Sequence, residues 1–76
     1  MARPRARHIV VCIDNDGYEA SLESRKIYIA LPDIDAGKDG LVRIIDESGE
    51  DYLYPRTLFR SVELPQAIRR AILTAA

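Results

Sequence analysis

The sequence predicts a mainly β fold, a small five-stranded barrel with a C-terminal α-helix, and three observations lead there. Short apolar runs rich in β-branched residues recur along the chain, separated by clusters of Asp, Asn, Gly and Pro. Residues 46–59, DESGEDYLYPRTLF, read as strand end, tight turn, short strand, one-turn helix and the start of another strand. Near the end, Leu64, Ile68 and Ile72 stand four residues apart, the spacing of a helix stripe.

Residues 1–6 carry no apolar period and read as a flexible basic tail. Residues 7–13 hold Ile9, Val10, Val11 and Ile13 and form the first strand. Asp14-Asn15-Asp16-Gly17 ends it with turn chemistry, and residues 18–25 form a long excursion that Leu22 plugs into the core. The second strand, residues 26–31, is apolar on both sides, which suits a strand whose outer face is covered. Residues 32–40 are a loop by composition, with room for one helical turn.

The third strand, residues 41–46, pairs with the fourth, residues 50–54, through Ser48–Gly49, where glycine supplies the positive φ of a hairpin turn. Tyr52 and Tyr54 share one face of that fourth strand and Leu53 takes the other. Pro55 has no N–H and ends the ladder. Residues 59–63 are a short fifth strand, and Pro65 opens a helix over residues 65–75 that packs on the barrel of residues 7–64. The predicted core is Val11, Ile13, Leu22, Ile29, Val42, Ile44, Leu53, Leu58, Val62, Ile68 and Ile72.

This order of parts resembles the SH3-like barrel. Residues 52–63 look like its passage from strand four through a short helix to strand five, and residues 14–25 would be its long first loop. More narrowly, the chain resembles a family of small uncharacterised bacterial and phage proteins with a CIDN-x-GY…KxY…DxSGEDYLYP pattern. Residues 12–18, 26–28 and 46–55 match it, and the likeness spans roughly residues 9–64. Arg25 departs from the pattern, since the family usually has glycine before the second strand. The resemblance implies a fold and no activity.

Seventy-six residues build one compact core at most, because a chain this short buries only about 60–65% of its unfolded surface. No apolar run reaches the length that spans a bilayer, so no membrane partner is expected. The Arg-rich start lacks the apolar segment of a signal peptide, and a single cysteine, Cys12, excludes an intrachain disulfide. A cytoplasmic location is the expectation. Charge is unevenly distributed: residues 9–54 hold eleven acidic side chains against four basic ones, a net −7, while both ends are basic.

Chemistry is thinly represented. His8 lies beside the tail, and Cys12 has apolar neighbours that favour the neutral thiol, so no catalytic residue is assigned and the chain is not expected to be an enzyme. Cys12, Asp14, Asp16, Gly17 and Glu23 are spaced as in an EF-hand loop, but a thiol stands first and no helix precedes it. The segment reads instead as a capped turn; no metal ligand and no cofactor are expected. The expected function is a non-catalytic protein-interaction module for an unidentified protein partner, as a monomer or weak homodimer. Its candidate face is Tyr18, Tyr52, Tyr54, Asp14, Asp16 and Asp51. The alternative is a nucleic-acid-associated accessory protein whose arm of Arg3, Arg5, Arg7 and His8 holds phosphates, against which the acidic body argues.

Overall fold

A computed structural model describes residues 7–75. These form strands β1 (His8–Cys12), β2 (Ile27–Leu31), β3 (Leu41–Ile45), β4 (Asp51–Pro55) and β5 (Phe59–Ser61). A one-turn helix α1 (Ile34–Lys38) links β2 to β3, a 3₁₀ turn (Arg56–Leu58) links β4 to β5, and α2 (Gln66–Ala75) follows. All pairings are antiparallel, in the spatial order β4-β3-β2-β1-β5, and the sheet curls into a half-barrel compatible with an SH3-like fold. Mainly β, with a C-terminal helix, is therefore the architecture.

The tight turn forms where the sequence places it. Gly49 has φ 86°, the left-handed conformation that glycine adopts without a Cβ penalty, and its N–H donates to the Asp46 carbonyl at 3.0 Å. Pro55 is the last rung of the ladder, paired with Leu41, a position where an edge strand tolerates a missing N–H. Arg25 also has a positive φ, 68°, just before β2.

The concave face of the sheet carries the core: Val10, Cys12, Tyr28, Ala30, Ile44, Tyr54 and Phe59, with Leu22 from the excursion and Leu58 from the 3₁₀ turn. Leu22, Ile44 and Cys12 are sealed from solvent. Leu22, Ile44 and Leu58 thus take the places that the sequence predicts, and Val42 packs against the cluster. On β1 the predicted face is inverted. Val10 and Cys12 point inward, and Ile13 is 44% exposed. Leu53 and Ile68 are likewise exposed. An unbroken apolar run identifies a strand without saying which side faces in.

The outer face has its own apolar row, in which Ile9 pairs with Ile29 and Ile29 with Ile45. Ile9 and Ile29 are buried. Ile72 and Ala75 of α2 share a crevice there with Ile27, Ile29 and Ile45. Two hydrogen bonds hold α2 to the start of β1: Arg69 Nη2 donates to the Arg7 carbonyl at 2.6 Å, and Arg7 Nη2 to the Leu73 carbonyl at 3.5 Å.

Candidate functional site

Antiparallel pairing gathers the start of β1, the end of β2, the start of β3 and the end of β5 at one end of the half-barrel. The opposite end is closed by the 13–26 excursion and the β3–β4 turn, which meet where the Glu47 N–H donates to the Ser21 carbonyl. The first end is open. A cleft of about 430 Å³ enters it between α1 and the 3₁₀ turn. Val10, Ala30, Val42 and Phe59 form its floor; Ile34 and Leu41 stand at its mouth.

Polar side chains set the charge of that mouth. Asp33 caps α1, accepting from the Ala36 N–H at 2.9 Å, and its other oxygen accepts from Arg43 Nε at 2.9 Å. The Ala36 N–H and then the Arg43 guanidinium hold the Asp33 carboxyl below the usual carboxylate range. Arg43 reaches across to β4 as well, with Nη1 3.0 Å from Asp51 Oδ2. Among the described residues, Asp33 is the one acidic residue lining the cleft, and it is already engaged. Arg56 and Arg60 line the same cleft with no carboxylate within ion-pair distance among the described residues. Arg60 Nη1 is aimed by the carbonyls of Phe59 and Thr57, at 2.8 and 3.1 Å. His8 lies at the edge, followed outward by Arg7 with Arg69 against it. Among the described residues, Arg7, His8, Arg56, Arg60 and Arg69 thus gather at or beside this open end.

The predicted tyrosine face is divided by the fold. Tyr54 is interior, its ring edge-on to Tyr18 at 5.2 Å and its hydroxyl donating to buried Asp46 at 2.5 Å. Tyr18 is half-buried over it. Tyr52 is 49% exposed, with its hydroxyl 2.9 Å from Glu50 Oε1. Asp14 and Asp16 sit exposed in the first turn, where Asp14 accepts from the Asp16 N–H, and Asp51 is paired with Arg43. Of the basic arm, Arg3 and Arg5 lie outside the described residues, and Arg7 and His8 are exposed. Cys12 is buried, its thiol donating to the Asp14 carbonyl at 3.3 Å, and burial pushes its pKa up.

Arg56, Arg60 and α1 were not singled out by the sequence as site elements. The signal present was the surplus of positive charge after Pro55; its position depends on the β1–β5 pairing, which brings Ser61 opposite Val10. Among the described residues, no cluster of His, Cys, Asp and Glu is arranged to hold a metal ion. No helix of the described chain is long and apolar enough to cross a membrane. The chain matches no known family, no curated protein and no solved structure.

Proposed function

We propose that this chain is a non-catalytic protein-interaction module that receives a segment of its partner in the cleft at the open end of the half-barrel. One observation carries the reading: a cleft of a volume typical of ligand sites is lined by exposed Ile34 and half-buried Leu41 and Val42, with Val10 and Ala30 buried beneath them. Burial of the single thiol in the core fits a binding role and a reducing, cytoplasmic setting. The CIDN-x-GY and SGEDYLYP segments support membership of the small bacterial and phage family that they resemble, from which no activity follows. A nucleic-acid partner is the second reading, favoured by the meeting of Arg7, His8, Arg56, Arg60 and Arg69 at one end.

The test is an NMR titration of the whole chain with a pool of mixed-sequence peptides and, separately, with a short DNA duplex at two salt concentrations. The interaction reading expects shifts at Val10, Ala30 and Val42 with the peptides. Shifts confined to Tyr18, Tyr52, Asp14, Asp16 and Asp51 would move the site to the acidic end. Salt-sensitive shifts at Arg7 and His8 with DNA alone would favour the second reading.

A further inference from the structure

Resting on that reading, we infer that the cleft takes an acidic peptide segment that inserts one branched apolar side chain between α1 and the 3₁₀ turn. The cleft accepts an aliphatic group, since exposed Ile34 and half-buried Leu41 and Val42 are apolar and Val10 and Ala30, buried beneath them, carry no polar side-chain atom. It has no aromatic platform. Among the described residues, Phe59 is the one Phe, Tyr or Trp in the lining; it is 5% exposed, and its ring is engaged edge-on with Tyr28 and Tyr54 at 6.3 Å each, while the imidazole of His8 lies at the edge and not on the floor. Stacked bases and polyproline ligands both rely on exposed rings, so the floor disfavours single-stranded nucleic acid and proline-rich peptides.

Charge around the floor selects among the peptides that remain. Arg43 holds Asp33 and shares its charge with Asp51 on β4, so Asp33 is only partly offset, while Arg56 and Arg60 bring two positive charges to the lining with no carboxylate paired to them among the described residues. Arg7 and Arg69 extend the basic surface past His8. The excursion and the β3–β4 turn, at the opposite end, hold exposed Asp14, Asp16, Glu19, Glu23, Glu47 and Glu50, with Lys26 paired to Glu47 and Glu23, so that end keeps a negative excess. An acidic partner is repelled from that end and drawn to this one, so the charge asymmetry steers it toward the cleft. A basic or neutral peptide would find the same floor without this guidance.

Fluorescence anisotropy and NMR on the whole chain decide the matter with four probes. These are a short peptide of one leucine flanked by glutamates, its serine-for-leucine variant, its lysine-for-glutamate variant, and a short DNA duplex. The glutamate–leucine peptide is expected to bind with shifts at Val10 and Val42, and to weaken as salt is raised. Serine in place of leucine, or the double substitution Arg56→Glu/Arg60→Glu, is expected to raise Kd about tenfold, the scale of one apolar anchor or of two exposed ion pairs reversed. Arg56→Gln/Arg60→Gln, which removes charge without reversing it, gives a smaller increase and serves if the double glutamate variant does not fold. Equal or tighter binding of the lysine–leucine peptide at Val10 and Val42 would overturn the acidic class and leave the cleft as a binding site. DNA binding tighter than the peptide and lost in Arg56→Glu/Arg60→Glu would assign the rim to nucleic acid. If no peptide moved Val10 or Val42, the inference and the cleft reading would both fall.

Discussion

The Tyr54 hydroxyl donates to Asp46 Oδ2 at 2.5 Å inside the barrel, and this bond ties the edge strand to the turn that precedes it. Asp46 is 7% exposed and also accepts from the Ser48 hydroxyl at 2.6 Å and the Ser48 N–H at 2.9 Å. Burial raises the Asp46 carboxyl, but the bonds from Ser48 and Tyr54 outweigh it, leaving the group below its ordinary value. Tyr54→Phe removes one donor from a buried carboxylate and is expected to cost about 1.5–3 kcal/mol in urea unfolding at neutral pH. A depressed folded-state pKa contributes stability above the unfolded value that is lost as pH falls through the folded one. The gap between wild type and Tyr54→Phe should therefore narrow in acid. A gap independent of pH would show that Asp46 does not depend on the tyrosine.

This pair also shows what the sequence made legible and where it stopped. Ser48–Gly49 announces the turn and the alternation at Tyr52–Leu53–Tyr54 announces the faces, because turn chemistry and strand period are local. Nothing local says that Tyr54 goes under and Tyr52 stays out; that depends on Tyr18, Ser21 and Asp46 arriving from elsewhere. On β1, Ile9-Val10-Val11-Cys12-Ile13 is apolar throughout, so the inward face was decided by partners, Tyr28 opposite Val10 and Phe59 opposite Cys12. The cleft was still less legible. It is an absence of side chains at the meeting of four strand ends, framed by an α1 that composition describes as a loop.

Arg25 sits at φ 68°, and its N–H donates to the Cys12 carbonyl, 2.6 Å away, closing the base of the excursion. The left-handed conformation costs a residue with a Cβ about 1–2 kcal/mol. Glycine escapes that cost but loses more freedom on folding, about 0.5–1 kcal/mol. Arg25→Gly is thus expected to be neutral or stabilising by up to about 1 kcal/mol, whereas Arg25→Val, β-branched, should destabilise. Denaturant midpoints decide it, and a clear loss in Arg25→Gly would mean that the arginine side chain itself holds the turn.

Leu22 and Ile13 reverse what simple hydrophobicity suggests for a strand and a loop. Leu22 belongs to the irregular excursion yet is 0% exposed, while Ile13 continues an apolar strand and is 44% exposed. Asn15 Nδ2 donates to the Leu22 carbonyl at 2.9 Å, and the Leu22 N–H donates to the Tyr18 carbonyl at 2.9 Å, so the backbone around the leucine is fixed. Leu22→Ala is expected to cost about 2–5 kcal/mol, a large share of a small domain's stability. Ile13→Ala should cost under about 1 kcal/mol. Equal losses in the two variants would place the excursion differently from the arrangement described.

Alkaline pH should act mainly through Tyr28. Its hydroxyl accepts from the Glu23 N–H at 2.7 Å and donates to Glu47 Oε2 at 2.6 Å, the same carboxylate that Lys26 meets from the surface. Burial first, and then the bond to Glu47, push its pKa well above the ordinary tyrosine value of 10.0. Burial and Asp46 push Tyr54 in the same direction. A raised folded-state pKa contributes stability that is complete below the unfolded value and declines as pH rises beyond it, because the unfolded chain releases its protons first. Unfolding free energy should thus fall above about pH 10. Tyr28→Phe should flatten that fall, while losing about 1 kcal/mol or more at neutral pH, since the Glu23 N–H is left without its acceptor. Tyrosinate absorbance followed alongside unfolding provides the check: the Tyr28 and Tyr54 signals should emerge with loss of structure. Ionisation of Tyr28 near pH 10 in a chain that is still folded would contradict the buried geometry.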